Sequence, residues 1–393
     1  VLSTGSVPAG RLSLPSSLLF RSPPWRAGLP ALAPFDPDRI QRRGSRSRLR
    51  IGNFLTFSGS PGIWGPAATN SALLAVSEIN RRGGILGREI ELSFYDSGGP
   101  VEDVVARARD ALEFDDIDVV MGSHISAVRL ALRPLLGGRI PYVYTPVYEG
   151  GERTPGVMAI GETPHSQTRP AIHWLAENRG ARRWYLIGSD YVWPWRSHRQ
   201  TKTYIAEAGG QVVGEEFVPV GNDDHEAHLA RIRAAKPDVV LVSLIGTDSI
   251  TFNRAFAESG LAATTLRLAG AVDETVLLGI GADNTENLYS ASGYFSCIGS
   301  GANDEFMGLY TAMFGANAPP VGSVGQSNYE GLRFLKAAAE RAGSLSLRPL
   351  ATSGRNIVYS GARGEVTIRQ GRAGMAMHLA AADGLDFKII RTF

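Results

Sequence analysis

Residues 51–92 read "IGNFLTFSGSPGIWGPAATNSALLAVSEINRRGGILGREIEL". Arg50–Phe54 is a short apolar run suited to a buried strand, and Glu89–Tyr95 is a second such run. Between them, Ala67–Arg82 carries Leu73, Leu74, Val76 and Ile79 on one side and stops at Gly83-Gly84, the pattern of an amphipathic helix closed by glycine. Strand, helix and strand in this order predict a β-α-β unit with parallel strands.

The pattern repeats outward from that unit. Strands are expected at Asp118–Met121 and Pro141–Tyr144, with helices at Val101–Phe114 and Ser126–Leu136. After the turn-rich Gly161–His165 a second set follows. Its strands are Arg183–Ile187, Gln211–Phe217, Val239–Ser243, Thr265–Ala269 and Leu288–Ser290. Its helices are Gln167–Asn178, Arg196–Glu207, His225–Ala235, Asp248–Ser259 and Glu274–Gly279. Two helical stretches, Asp304–Phe314 and Val324–Ala342, and β-like pieces at Gly364–Arg369, Met375–Ala381 and Phe387–Arg391 complete the chain. The expected fold is α/β, with two doubly wound Rossmann-like lobes joined by more than one crossover and a ligand cleft beyond the carboxyl ends of their strands. The expected division is 1–49 as a Pro/Arg-rich extension, 50–163 plus 293–355 as lobe I, and 164–292 plus 356–393 as lobe II.

The 393 residues carry 40 basic and 38 acidic side chains, a formal net charge of +2, which supplies no field for nucleic acid or an anionic membrane. Cys297 is the only cysteine, so neither an internal disulfide nor a thiolate zinc cage can form. Pro8, Pro15, Pro23, Pro24, Pro30, Pro34 and Pro37 and the arginines at 42, 43, 46, 48 and 50 mark the first fifty residues as a segment of disordered composition. Its apolar stretch Leu12–Phe20 is short, interrupted by Pro15 and followed by Arg21. It reads as no secretory signal and sets the expectation of a cytoplasmic protein, with a periplasmic location as the alternative.

Motifs of catalysis are missing. The chain has four lysines and none lies in a Walker loop, there is no Gly-x-Ser-x-Gly elbow, and Gly279-Ile-Gly281 and Gly299-Ser-Gly301 lack the rest of a dinucleotide fingerprint. His225 and His228 stand at i and i+3, but Asp224–His228 reads as the acidic first turn of a solvated helix. No cofactor, no metal and no enzymatic activity are expected.

Unusual side chains gather at four strand ends: Gly122–Ser126, Tyr142–Gly150, "GSDYVWPWRS" at 188–197, and Leu268–Glu274. Together they would wall a small pocket with aromatic rings and a few hydroxyl groups, suited to a compact neutral ligand. With residues 51–92, "YTPVYEGGERTPGV", "SLIGTDSITFNRA" and "GARGEVTI", these stretches resemble the type I periplasmic binding proteins over residues 51–393. The "YEG" and "GSDYVWP" segments are most similar to the amide and urea branch, which includes the amide-sensing negative regulators of amidase operons and the urea and short-chain amide receptors of ABC transporters. The resemblance places first-lobe contacts at His124, Ser126, Tyr144 and Pro146, and second-lobe contacts at Tyr191, Trp193 and the Gly270–Glu274 loop. The candidate ligand-binding set is His124, Ser126, Tyr144, Thr145, Pro146, Tyr191, Trp193, Gly270 and Asp273. In the amide regulators a tyrosine stands at the place of His124, a threonine at Pro146 and a tyrosine at Trp193, so this pocket differs in volume and polarity. Each position also has a plainer reading: Ser126 as a helix cap, His124 as a satisfied strand-end histidine, Trp193 and Trp195 as core cover.

The resemblance implies a non-enzymatic binder that closes around an amide-, urea- or nitrile-derived molecule. It would act as a sensor of an amidase- or nitrile-hydratase-type operon, with an antitermination regulator as its protein partner. The alternative is the substrate-binding component of an ABC importer for amides, urea or branched-chain amino acids, with a permease as partner. Both readings are compatible with a homo-oligomer, without direct nucleic-acid contact or membrane insertion.

Overall fold

A computed structural model describes residues 48–393; the Leu12–Phe20 stretch and the proline-rich part of the extension lie outside the described residues. The first sheet forms from β1 (Arg48–Leu55), β2 (Glu89–Asp96), β3 (Val119–Ser123), β4 (Tyr142–Tyr144) and β5 (Val157–Ala159). They lie in the order β2-β1-β3-β4-β5, all parallel. Helices α1 (Gly65–Arg81), α2 (Val101–Glu113) and α3 (Ser126–Leu136) connect them.

The second lobe runs through α4 (Thr168–Asn178), β6 (Arg183–Ser189), α5 (Val192–Glu207), β7 (Gln211–Val218), α6 (Glu226–Ala235), β8 (Val239–Ser243), α7 (Gly246–Glu258), β9 (Leu266–Ala269), α8 (Glu274–Ile280) and β10 (Leu288–Ser292). The run Trp184-Tyr-Leu-Ile187 shows why its sheet is covered on both faces. Trp184 and Leu186 enter one core with Leu175 of α4, while Tyr185 and Ile187 enter another with Phe252 and Phe256 of α7. The chain then returns through α9 (Gly301–Phe314), α10 (Ser323–Ala342) and α11 (Leu347–Gly354) to the first lobe. Phe306, Tyr329, Leu332 and Phe334 of these helices bury against Ile51, Val119 and Met121 of the first sheet.

The antiparallel ladder β11 (Asn356–Gly361), β12 (Gly364–Arg369) and β13 (Arg372–Gly374) follows. The sequence division places residues 356–374 with lobe II. In the structure Ile357, Tyr359, Val366 and Ile368 join the first-lobe core instead, because the alternating burial of β11 and β12 turns their apolar face onto α10. Only β14 (His378–Asp383) and β15 (Asp386–Thr392) cross back, completing the second sheet in the order β15-β14-β10-β9-β8-β6-β7. No helix among the described residues is long and apolar enough to cross a membrane.

Three crossovers therefore join the lobes, after β5, β10 and β13, and one buried cluster around a cation and its carboxylate ties them together. The Arg363 guanidinium donates to Glu162 in the first crossover at 3.0 Å and to Met375 Sδ in the third. Glu162 Oε1 also accepts the Gly293 N–H of the second. Gln326 Oε1 accepts from Arg363 at 2.7 Å, and Glu330 Oε1 accepts the Arg363 backbone N–H. Arg363, Glu162 and Glu330 are all buried, so removing the cation leaves two carboxylates without their counter-charge. Arg363→Ala will lower the unfolding free energy by about 3–5 kcal/mol in denaturant titration, whereas a surface pair such as Arg48–Glu91, removed by Arg48→Ala, will cost ~1 kcal/mol or less.

Candidate functional site

The carboxyl ends of β1, β3, β4, β6, β8 and β9 converge on one cavity of about 50 Å³ between the lobes. Thr56, Pro61 and Trp64 reach it from the loop after β1. Ser123, His124, Ile125 and Ser126 follow β3, and Tyr144, Pro146 and Val147 follow β4. Tyr191 and Trp193 come from the β6–α5 corner, Ile245 and Ala271 from the ends of β8 and β9, and Val324 from the start of α10. No Lys, Arg, Asp or Glu lines it.

The local sequence explains the placements. In "GSDYVWPWRS" α5 starts at Val192, four residues before the expected Arg196, because Pro194 falls in the first helical turn, where its missing N–H costs nothing. Tyr191 is the extended residue that precedes the helix, and Trp193 is buried with its ring centroid 6.2 Å from that of Tyr191. Trp195 instead faces solvent, packs at a tilt against Phe217 with ring centroids 5.0 Å apart and donates its indole N–H to Asp190. The aromatic wall is thus divided: Trp193 belongs to the cavity and Trp195 to the surface.

His124 contributes a ring and not a polar contact. Its Nδ1 lies 3.2 Å from the Ile125 carbonyl, which fixes that nitrogen as the N–H, and Nε2 then accepts from the Tyr142 hydroxyl at 2.8 Å. Burial pushes its pKa down to about 3, so it is neutral. The Tyr144 hydroxyl donates to the His124 carbonyl at 2.7 Å, and burial raises the Tyr144 and Tyr191 phenols so that both keep their protons. Three polar atoms in lining residues remain buried without a hydrogen bond: Ser123 Oγ, Ser126 Oγ and Trp193 Nε1. Ser126 interacts with the Tyr144 hydroxyl but not in hydrogen-bonding geometry. Ser126 also opens α3, whose first N–H groups have no intrahelical acceptor. Each buried donor left unmade costs about 1–3 kcal/mol, which an acceptor-bearing ligand would recover.

Of the nine candidate residues, His124, Ser126, Tyr144, Pro146, Tyr191 and Trp193 line this cavity together. Thr145, Gly270 and Asp273 do not. The Thr145 hydroxyl lies 3.0 Å from Ser327 Oγ and ties β4 to α10. Asp273 is a fastening: Oδ1 accepts Trp64 Nε1 at 2.9 Å and the Val276 N–H that caps α8, while Oδ2 accepts the Val324 N–H. Trp64 and Val324 belong to the first lobe, so the carboxylate spans the cleft. Ser60 Oγ makes a second fastening by donating to the Ile245 carbonyl at 2.8 Å and accepting the Asp248 N–H. There Gly246 (φ +56°) is required, since a Cβ would lie 1.9 Å from the Ser60 carbonyl oxygen. On the other rim, Glu149 takes Arg129 at 2.7 Å and Arg196 at 3.4 Å, and its carbonyl accepts from Gln200 of α5. Glu149 thus pins the loop beside the cleft. His225 and His228 turn to Thr251 and Glu216, and among the described residues no three His, Cys, Asp or Glu side chains are grouped to hold a metal.

The sequence of the periplasmic binding protein family matches residues 48–385. The chain belongs to this family. It is 27% identical over 244 residues to the Leu/Ile/Val-binding protein BraC3 of Rhizobium johnstonii, covering 61% of this chain and 63% of that protein, less than two thirds of its length. Among solved structures, the ABC transporter substrate-binding protein of Sphaerobacter thermophilus superposes with a TM-score of 0.77 at 24% identity, over 88% of this chain and 98% of that one. The solute binding protein of an ABC transporter from Rhodopseudomonas palustris HaA2, solved with p-hydroxybenzoic acid, gives 0.79 at 22% identity over 88% and 97%. The relatives named here are binding proteins, and the interlobe cavity has the place and form of a ligand site.

Trp64, Ser123 and Val324 were not among the expected residues. Trp64 was legible, since a tryptophan in a Gly/Pro loop after a strand is the same signal that marks Trp193. Val324 was not, because it enters from the start of α10, far along the chain. Trp64→Phe keeps the ring and removes the bond to Asp273; ligand affinity will fall by about 1–2 kcal/mol in calorimetric titration, with the lobes' own folding little changed. Glu274, beside Asp273, is pushed up to about 8 by burial and the neighbouring carboxylate. Its stabilising contribution is present in full below the unfolded-chain value near 4.5 and is lost as pH rises through 8. The melting temperature of wild type will therefore fall relative to Glu274→Gln between pH 5 and pH 8.5, and parallel curves would refute the raised pKa.

Proposed function

We propose that this chain is the substrate-binding component of an ABC importer and closes over a small planar molecule that presents a carboxylate or amide oxygen. The observation that carries the reading is the cavity's composition: walls of Trp64, Trp193, Tyr191 and Tyr144, unpartnered hydroxyls at Ser123 and Ser126, an unpartnered indole N–H at Trp193, and the start of α3. An acceptor oxygen at the Ser126 end meets that hydroxyl and the start of α3, and a flat body fills the space between the rings. No carboxylate lines the cavity at the Ser126 end, and both Asp273 oxygens are already bonded, so an α-ammonium group next to a carboxylate held there would be buried without a counter-charge. That argues for acids such as the hydroxybenzoate held by the Rhodopseudomonas protein, or amides of similar shape, over the leucine class in the name of the Rhizobium relative.

Transport receptors among the similar proteins favour the importer, its permease partner and a periplasmic location over a cytoplasmic sensor of an amidase-type operon that holds an antitermination regulator. Ligand closure would serve either role. Cell fractionation separates them: recovery outside the cytoplasmic membrane supports the importer, and co-purification with an RNA-binding regulator from the cytoplasm contradicts it.

Calorimetric titration of the full chain with benzoate, benzamide, acetamide, urea and L-leucine tests the ligand class. Benzoate or benzamide will bind, and leucine will not; tight leucine binding with no response to the other compounds would overturn the proposal. Ser126→Ala will weaken the bound compound by about 1 kcal/mol or more, and Trp193→Ala by about 1–3 kcal/mol.

A further inference from the structure

A second, smaller void of about 10 Å³ abuts the ligand cavity and shares Pro146, Val147 and Val324 with it. Its character is opposite. Where the main cavity offers unmade donors, this compartment is walled by Glu162, Gln167, Ser292 and Ser323. The Gln167 amide is fixed in orientation, because both protons of Nε2 are spent on the carbonyls of Gly270 and Ala291, at 2.9 and 2.8 Å. Its Oε1 is therefore the uncommitted atom. It lies over Gly270, where an added Cβ would stand 2.7 Å from it. Glu162 spends Oε1 on the Gly293 N–H and Arg363, leaving Oε2 as a second acceptor. The Ser292 hydroxyl already accepts the Tyr294 N–H. Glu162, Gln167 and Ser292 are all at least nine-tenths buried. A void of this size holds one non-hydrogen group, and these walls ask that group to donate.

We infer that this compartment is the far end of the ligand site, and that it receives a hydrogen-bond-donating substituent, a hydroxyl or an amino group, on the ring whose acceptor end is held at Ser126. The inference rests on the planar-ligand reading above and adds the substituent. It gives Gly270 a role without ligand contact: the missing side chain lets Gln167 lie where it selects a donor. It also sets the substituent against Glu162, the carboxylate that joins two of the three crossovers.

Calorimetric titration of the full chain with benzoate, 3-hydroxybenzoate and 4-hydroxybenzoate tests it. At least one hydroxylated acid will bind about tenfold or more tightly than benzoate. Ser323→Val, which fills the void with methyl groups, and Gly270→Ala, which displaces the Gln167 oxygen, will each bring that ratio towards one. Thermal unfolding of each variant checks that it is folded, and the two variants disturb different walls. Equal or weaker binding of both hydroxylated acids by wild type overturns the compartment while leaving the planar-ligand reading intact. Absence of binding by all three acids overturns the compartment, and if benzamide also fails to bind, the planar-ligand reading falls with it. A preference that survives unchanged in both folded variants places the hydroxyl elsewhere and overturns the inference as well.

Discussion

The Asp273 carboxylate keeps the two lobes in register. It is buried, and burial pushes its pKa above the usual carboxylate range, while N–H donors from Trp64, Val276 and Val324 work in the opposite direction. Two of those donors belong to the other lobe. Opening the cleft strips them away and returns the carboxylate to water; closing it requires them. The neighbouring Glu274, pushed up to about 8, stays largely neutral near pH 7, so two adjacent buried carboxyl groups need not both be charged. Closure is thereby tied to a few directional bonds, with Ser60 against Ile245 and Asp248 on one side and Glu149 against Arg196 and Gln200 on the other.

These fastenings leave the cavity itself free of charge. The acidic and basic groups near the cleft are spent on one another: Arg129 on Glu149 and Glu152, Arg363 on Glu162. What reaches the ligand is aromatic surface and a handful of donors at the start of α3. Selectivity in such a site follows from which polar atoms remain unpaired on closure, since a ligand that fails to meet them leaves them buried and costly. His124 illustrates the distinction. It lines the cavity, but both its nitrogens are used by the first lobe, so it shapes the wall without selecting a polar partner.

The alternation of strands and amphipathic helices was readable because parallel sheets demand it, and residues 51–92 alone establish the β-α-β unit. Strand ends were readable too, because large aromatic residues where a buried strand should meet water need a reason. Three features were hidden. The β11–β13 ladder consists of short strands whose partner is α10, so nothing local assigns it to a lobe. Asp273 stands at the expected strand end, yet its partners Trp64 and Val324 lie 209 and 51 residues away, and only the fold shows that it fastens the lobes. Gly270 carries no side chain at all, and its meaning lies in the approach of Gln167.

The measurement that tests the closed, ligand-gated cleft most directly is small-angle X-ray scattering of the full chain, without ligand and at saturation with benzoate or benzamide, for wild type and Asp273→Asn. The prediction is a smaller radius of gyration on saturation in wild type and a reduced change in the variant. Identical scattering with and without a ligand known to be bound would contradict it.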